Sequence, residues 1–429
     1  MLMVRRYMSI DYLNRVLRSS AFKTFAAFAG SNFLVSIISG VGGLIQARWV
    51  NPETFGELQK YGILTTYLGI GILVVNDGLI RQYPYYIGKG DRGKALEVVG
   101  VAKWWFLFVG FLLGIFFFAM SLVSACKGDW RAACGWGVQI AAVVAGTYGI
   151  YLGILYRTSS DFRRLASNNL ASSIIGFASL VFVRIWGFFG LALRAATQSI
   201  FTVFINHRYR PVKVKAIFDL PKLWQLAKIS LKFSLPAYFH ASFLLASRRA
   251  LILLYCLQSG LGLYSFAAAL TTILHGFSTA LSQMLNVRIT TRFGETESIR
   301  QSFLSSLKPT LLGLALSFSL IVAGWFIVPV FVEMFIPKYV DGIGCFRILS
   351  FTLATNALSM PLLVFKAALM WKTAALQALT NFAVTVLLIF VLPKSISMVA
   401  LATVLGRFAE ILVGYASLVV ACMIRQHRQ

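Results

Sequence analysis

The sequence predicts an all-α membrane protein with about 12 transmembrane helices. The composition is 58% hydrophobic and only 13% charged, whereas soluble domains average about 45–50% apolar and about 25% charged residues. Apolar runs near twenty residues recur along the chain, and a helix needs about that length to cross ~30 Å of hydrocarbon. Repeated ten-residue segments of alternating polarity are missing from the sequence, which argues against a membrane β-barrel.

The predicted spans cover almost the whole chain. A tight turn near Gly187 and Gly190 separates the fifth span from the sixth. In chain order the spans lie at 24–47, 58–80, 98–124, 134–156, 165–185, 188–206, 233–255, 260–286, 307–330, 342–365, 373–392 and 398–422.

The loops predict the orientation of these spans. Lysine and arginine concentrate in the N-terminal segment and in the loops that follow even-numbered spans, above all 81–103, 157–164 and 207–232. Because cytoplasmic loops are the richer in basic residues, both termini are predicted to be cytoplasmic. The net charge of +26 is then explained by topology and by contact with anionic membrane lipids. A nucleic-acid partner is not expected, since no single-strand binding module is visible.

The longest basic loop divides the chain into two equal sets of spans. We predict an N-terminal six-helix bundle at 1–206, a basic cytoplasmic connector at 207–232 and a C-terminal six-helix bundle at 233–429. Part of the connector has helical apolar spacing, which predicts a surface helix on the inner leaflet, with a plain linker as the alternative. The spaced residues are Leu220, Leu223, Leu226 and Ile229.

A weak internal repeat supports this division. The stretch ARWVNPETFGELQKY follows the first span, LYCLQSGLGLYSFAA follows the seventh, and a shift of 206 residues places Gly56 on Gly262. Since both halves start from the cytoplasm, they are predicted to be parallel repeats about an axis along the membrane normal. A substrate would then lie between them.

Six arginines fall inside the predicted spans. An ionised side chain at mid-bilayer costs roughly 2.5–3.5 kcal/mol on insertion scales, so these residues predict a wet cavity and an anionic ligand. That combination is typical of a transporter for a negatively charged substrate. The six are Arg184, Arg194, Arg248, Arg249, Arg347 and Arg407.

Two interpretations apply to five of them. Arg248 and Arg249 either line the cavity and bind diphosphate through the guanidinium fork or extend to the outer headgroups. Arg184, Arg194 and Arg347 lie near the outer surface. For these three, extension of the side chain to the lipid headgroups costs less energy than burial and is the simpler interpretation. Contact with the substrate is the alternative.

Two charged pairs share helical faces. Arg407 and Glu410 are three residues apart and can form an ion pair, which would be either structural or a site for a coupling proton. Asp77 and Arg81 are four residues apart at the inner end of the second span. They predict a structural pair or an inner gate.

The remaining chemistry-bearing residues predict neither a metal site nor a cofactor. His240 and His275 are isolated on apolar helices, so we expect hydrogen-bonded core roles. The five cysteines include no CxxC motif. Cys126 and Cys134 could face each other in an outer loop, and a disulfide between them is left open.

Three stretches carry a family resemblance: ARWVNPETFGELQKY with Pro52, Phe55 and Gly56, NDGLIRQYPYYIGKGD from Asn76, and FSLPAYFHASFLLASRRALILLYCLQSGLGLYSFA from Phe233. They resemble the polysaccharide-transporter branch, which includes the O-antigen flippases, of the multidrug/oligosaccharidyl-lipid/polysaccharide (MOP) flippase superfamily. Many relatives carry an acidic residue before the basic pair of the last stretch, where this chain reads LASRR. A role for an acid at that position therefore does not carry over.

This resemblance implies a fold and a substrate. The fold would be two six-helix bundles arranged as in MATE transporters. The chain would be no enzyme but a flippase of the bacterial inner membrane. It would move undecaprenyl-diphosphate-linked oligosaccharides, such as O-antigen, capsule or exopolysaccharide units, by alternating access. The polysaccharide polymerase machinery is a further candidate partner.

Other functions fit the residues less well. A cation-coupled drug or metabolite antiporter of the same superfamily is the alternative, but it would need cavity carboxylates, and the spans contain chiefly Asp77 and Glu410 beside the six arginines. A membrane glycosyltransferase or polymerase would need a sizeable outer loop. A channel would need a repeated selectivity loop, and none is visible.

Overall fold

A computed structural model describes residues 20–296, 298–368 and 370–426. Over these ranges the chain forms helices and no β-strand. Ten helical segments in this part are long and apolar enough to cross a membrane, and the shorter segment Leu34–Trp49 is also apolar. The predicted all-α multi-pass class is confirmed.

The first six spans form the N-terminal half. Span one is the helix Ser20–Trp49. Span two consists of the α-helix Pro52–Leu68, the 3-10 helix Gly69–Val74 and the α-helix Asn76–Gly88. Span three is Arg92–Cys126 and span four is Trp130–Thr158. Spans five and six comprise the helices Phe162–Ala178 and Leu180–Arg208.

The predicted turn between spans five and six is confirmed. The backbone leaves helical geometry at Gly187, whose φ is 54°. A Cβ atom on Gly190 would lie 1.9 Å from the carbonyl oxygen of Phe182, so only glycine fits there. Span five therefore extends as Phe162–Trp186, and span six is Phe188–Arg208.

The last six spans form the C-terminal half. Spans seven and eight comprise the α-helix Leu220–Tyr238, the π-helix Phe239–Phe243 and the helix Leu244–Thr296, which is broken at Leu257 (φ 59°). Span nine is Ile299–Phe335. Span ten comprises Pro337–Gly342, Ile343–Ser350, Thr352–Ser359, Met360–Leu363 and Val364–Ala367. Span eleven is Trp371–Val391 and span twelve is Ile396–Gln426.

The connector differs from the predicted surface helix. Its helix begins at Leu220 and continues into span seven. Leu223 and Leu226 are buried in an apolar core with residues of spans two, three and four. Before this helix, residues 209–219 run along span three, where Lys103 Nζ donates to the carbonyl oxygen of Val214 (2.8 Å). Leu223 and Leu226 of the predicted apolar face are therefore covered by the N-terminal half, whereas Leu220 is exposed.

Spans one, two, seven and eight make most contacts between the two halves. Span eight packs against spans one and two, and the first part of span seven packs against span two and, to a smaller extent, span three. We call the end of the bundle that contains residues 88–92, 158–162 and 209–219 the basic end; it is the side predicted to be cytoplasmic. Cys126 and Cys134, at the opposite end, are free thiols.

Candidate functional site

The shape of span seven brings two arginines into the protein interior. Asp219 caps the helix by accepting a hydrogen bond from the backbone N–H of Lys222 (3.0 Å). Pro236 lies inside the helix, and because proline has no N–H, it removes one helical hydrogen bond. The π-helical turn Phe239–Phe243 follows at once. Arg248 and Arg249 come little more than one turn after it.

The neighbours that act on these two arginines come from spans seven, eight and twelve. Arg248 Nε donates to the carbonyl oxygen of Leu244, one turn earlier (3.2 Å). Arg248 and Arg249 both lie within electrostatic range of Tyr264, and Arg407 acts on Arg248. Arg249 Nε is buried and has no hydrogen-bond partner among the described residues. A buried guanidinium with an unused donor is well suited to an anionic ligand.

The predicted pair in span twelve is present. Arg407 Nη1 and Glu410 Oε2 are 3.1 Å apart. The same carboxylate oxygen accepts a hydrogen bond from the Asn381 amide (2.8 Å), and the Thr385 hydroxyl donates to the Asn381 side-chain oxygen (3.1 Å). Spans eleven and twelve therefore fix the carboxylate beside Arg407. We call Arg248, Arg249, Arg407 and Glu410 the arginine cluster; it contains three guanidinium groups and one carboxylate.

His275 lies near this cluster and has the predicted core role. Its Nε2 is 2.9 Å from the Thr352 hydroxyl, and its Nδ1 is 2.8 Å from the Asn356 amide nitrogen. The charge of Arg407 also acts on the ring. These contacts join spans eight and ten. The side chain of His240 lies outside the described residues.

Of the other three predicted arginines, Arg184 and Arg194 lie in the N-terminal half. Arg194 is in the N-terminal half, where Nε donates to the carbonyl oxygen of Gly176 (2.9 Å) and Nη1 donates to the Gln46 side chain. Arg184 is exposed, with its guanidinium 6.0 Å from the Trp49 ring centroid. Arg347 is also exposed. The grouping of all five arginines into one headgroup site stays a prediction.

Asp77 connects the two halves near the basic end. Its carboxylate accepts a hydrogen bond from the Ser234 hydroxyl of span seven. Its backbone N–H donates to the Ser230 hydroxyl (3.0 Å). The predicted pairing of Asp77 with Arg81 stays a prediction. The two serines, which the apolar pattern of the connector did not single out, hold span two against span seven.

A cavity of about 420 Å³ lies between spans one and eight. Its wall is mostly apolar, with Leu44, Leu270 and Ile273 among the residues. Gln46, the partner of Arg194, also lines it. The two halves are therefore separated by a cavity between spans one and eight. Between spans two and seven they are in direct contact through hydrogen bonds and buried leucines.

Sequence reasoning found the arginines but missed several of their neighbours. Tyr264, Asn381 and Gln46 contact or influence predicted site residues. Each comes from a different span, and nothing in its local sequence distinguishes it. The one available signal in the sequence was the presence of an amide or phenol side chain within an apolar stretch.

Comparison with known proteins identifies the fold. No family model matches the sequence, and no curated protein matches it. An inward-facing multidrug resistance MATE transporter of the MOP superfamily aligns with a TM-score of 0.70 and 13% identity, over 93% of this chain and 99% of that one. An outward-facing MATE transporter of this superfamily gives 0.66 and 14%, over 97% and 99%.

A third structure comes from Pyrococcus furiosus. It is a MOP superfamily transporter for which the reverse polarity of the binding pocket suggests a different function. It aligns with a TM-score of 0.65 and 14% identity, over 95% of this chain and 97% of that one. At such identities the likeness shows the fold alone. The predicted MATE-like fold is confirmed, and the polysaccharide-transporter branch stays a prediction.

Proposed function

We propose that this chain is a flippase for polyprenyl-diphosphate-linked oligosaccharides in the bacterial inner membrane. The observation that carries the proposal is the arginine cluster. Three guanidinium groups and one carboxylate lie within apolar helices, where each ionised group costs roughly 2.5–3.5 kcal/mol. A diphosphate would offset that cost by charge-assisted hydrogen bonds to the guanidinium groups.

The MATE-type fold supports alternating access by movement of one half against the other. Arg248 and Arg249 lie on span seven, which contacts the N-terminal half through its first part. A headgroup bound to these arginines would therefore be close to the surface at which the halves meet. We infer that it moves from the basic end to the opposite end as the halves rock.

The cavity between spans one and eight would accommodate part of the hydrocarbon chain. Its lining is mostly apolar, and Ser39, Ala269 and Thr272 in its wall are exposed. An isoprenoid chain has no hydrogen-bonding groups, so an apolar seam is a suitable place for it. The chain could stay in lipid while the headgroup crosses between the halves.

The cationic character of the cluster argues against the antiporter alternative. A site for a cationic drug would favour carboxylates, whereas Glu410 is already paired with Arg407 and bonded to Asn381. The Pyrococcus furiosus structure is a case in which pocket polarity is linked to function within this superfamily. We extend the same reasoning to the arginine cluster.

The test is leaflet distribution of lipid-linked oligosaccharide in cells that lack this protein. A membrane-impermeant probe would measure the outer-leaflet pool after rescue with wild type, Arg248→Ala/Arg249→Ala or Arg248→Lys/Arg249→Lys. We expect accumulation on the inner leaflet, full rescue by wild type, none by the alanine pair and partial rescue by the lysine pair. Arg92→Ala, at an exposed position on the basic end, is the matched control and should rescue fully.

Two results would count against the proposal. Normal leaflet distribution without the protein would reject the flippase function and favour the antiporter. Full rescue by the alanine pair would make Arg248 and Arg249 structural residues. Glu410→Gln addresses energy coupling in the same cells: loss of dependence on the proton gradient in a folded variant would assign the coupling proton to Glu410, and unchanged dependence would reject that role.

A further inference from the structure

The two helices that face each other at the middle of the bundle both depart from α-helical geometry. Span two changes to a 3-10 helix at Gly69–Val74, and span seven has a π-helical turn at Phe239–Phe243. The Tyr67 hydroxyl donates to the Ser247 hydroxyl (2.9 Å), next to Arg248. Such interruptions often mark functional sites, and transporters commonly build substrate sites from discontinuous helices at the interface of their repeats.

Five aromatic rings meet at this level; we call Tyr67, Tyr238, Phe239, Phe243 and Phe382 the aromatic cluster. Phe243 is central, with ring centroids 5.2 Å from Tyr67, 5.4 Å from Phe239 and 5.6 Å from Phe382. Both halves contribute, because Tyr67 belongs to span two and the other rings belong to spans seven and eleven.

Four of the five rings of the aromatic cluster are only partly covered, whereas Tyr238 is buried. Tyr67, Phe239, Phe243 and Phe382 are half-buried. These four rings lie where the two halves meet and not inside one half, as the fully buried ring of Phe106 does. Partly uncovered aromatic surface at that position is available to a ligand that passes between the halves.

We propose that the aromatic cluster contacts the sugar rings of the glycan carried by this protein. This inference rests on the proposed flippase function and adds a second subsite to it. In a lipid-linked oligosaccharide the first sugar is bonded directly to the diphosphate. Phe243 precedes Arg248 by little more than one helical turn, towards the basic end. Phe382 directly follows Asn381, whose amide bonds Glu410 of the arginine cluster, so a diphosphate on the arginines would bring the adjoining sugar close to the aromatic cluster.

The chemistry of the contact suits a substrate that must be released. The C–H bonds on one face of a pyranose carry small positive charges, and the face of an aromatic ring is negative. Such stacking needs no fixed hydrogen-bond pattern, so it tolerates different sugars. Each stacked ring adds a modest affinity, which allows the glycan to leave on the far side.

The experiment compares two ligands on the purified full-length chain in lipid nanodiscs. One is undecaprenyl diphosphate, and the other is the same lipid carrying one N-acetylhexosamine. We expect the wild type to bind the sugar-bearing lipid about 3- to 10-fold more tightly, as one or two aromatic contacts would give. Phe243→Leu and Phe382→Leu keep an apolar side chain and remove the ring, so each should bring this ratio towards one.

Controls separate sugar contact from packing. Phe382→Tyr retains a ring and should keep the wild-type ratio. Phe318→Leu, at a 58% exposed site on span nine, should also keep it. A wild-type ratio of one, an unchanged ratio in both leucine variants, or an equal loss for both lipids would overturn the inference alone. A wild type that binds neither lipid would instead overturn the proposed function on which the inference depends.

Discussion

Gly56 and Gly262 pack against each other's helices in a reciprocal manner. A Cβ atom on Gly56 would lie 1.8 Å from the carbonyl oxygen of Gln258, four residues before Gly262. A Cβ atom on Gly262 would lie 1.8 Å from the carbonyl oxygen of Pro52, four residues before Gly56. Spans two and eight therefore cross backbone to backbone at a point with local twofold symmetry. The sequence repeat and this contact describe the same relationship between the halves.

Alanine at either glycine should weaken the contact between the halves. A Cβ 1.8 Å from a carbonyl oxygen cannot be accommodated without backbone movement, and overpacking of this kind costs about 1–3 kcal/mol. We expect Gly56→Ala and Gly262→Ala each to lower the thermal stability of the protein in detergent. Gly62→Ala is the matched control, because a Cβ there meets nothing within 4 Å. Equal stability of Gly56→Ala and Gly62→Ala would contradict the close crossing.

The sequence was informative about spans because hydropathy is a local property. Each predicted span has a helical counterpart, and even the tight turn at Gly187 was visible as a glycine-rich interruption. The breaks inside spans two and seven were not predicted. Gly69–Val74 reads as an ordinary apolar stretch, and its changed geometry depends on partners elsewhere. For example, the Trp105 indole donates to the carbonyl oxygen of Gly71 (2.9 Å).

The connector shows a second limit of sequence reasoning. Its helical spacing correctly identified an apolar face, but spacing does not reveal what covers that face. Leu223 and Leu226 are buried against the N-terminal half, whereas Leu220 remains 57% exposed. In the same way, composition revealed that Arg194 and Arg248 were unusual. Gln46, which accepts a hydrogen bond from Arg194, and Tyr264, which lies within electrostatic range of Arg248, belong to other spans, so no local pattern could supply them.

Replacing Ser160 with glycine should stabilise the protein. It has φ 58°, and the matching position of two other loops is occupied by Gly90 and Gly128, each with φ 77°. Left-handed backbone costs a residue with a Cβ about 1–2 kcal/mol, and greater freedom of glycine in the unfolded chain cancels part of that gain. We expect Ser160→Gly to raise the free energy of unfolding by about 0.5–1 kcal/mol. The control is Ser159→Gly, where φ is −88°; an equal gain there would contradict the argument.

The stability of the start of span seven, which Asp219 caps, should fall at acid pH. The backbone N–H of Lys222 holds the pKa of Asp219 below its usual range, aided by the Lys222 ammonium group. A lowered folded-state pKa gives stability that is complete above the usual value of about 3.9 and is lost as the pH falls through the folded pKa. Amide exchange at the start of this helix, corrected for intrinsic rates, should therefore be constant from about pH 5 to 7 and rise below about pH 4.

Two variants test that cap. Asp219→Asn can still accept the hydrogen bond, so it should retain protection and lose the acid-induced rise. Asp219→Ala should show faster exchange at every pH. An acid-induced rise that persists in Asp219→Asn would assign it to another group.

The Arg407–Glu410 pair should be energetically coupled. The pair is 3.1 Å apart, and the accessible fractions of the two side chains are 32% and 14%, so it is neither fully buried nor freely solvated. Removing one partner of a buried pair lowers the free energy of unfolding by about 3–5 kcal/mol. Because this pair is partly exposed, we expect Glu410→Leu to lower it by about 1–3 kcal/mol. Arg407→Met/Glu410→Leu should cost less than the sum of the two single variants, because it removes both charges of the pair together. A double-mutant cycle measured by unfolding in detergent gives the coupling, expected to be about 1 kcal/mol or more. Additive effects would mean that Asn381, which also bonds Glu410, holds the carboxylate without help from Arg407.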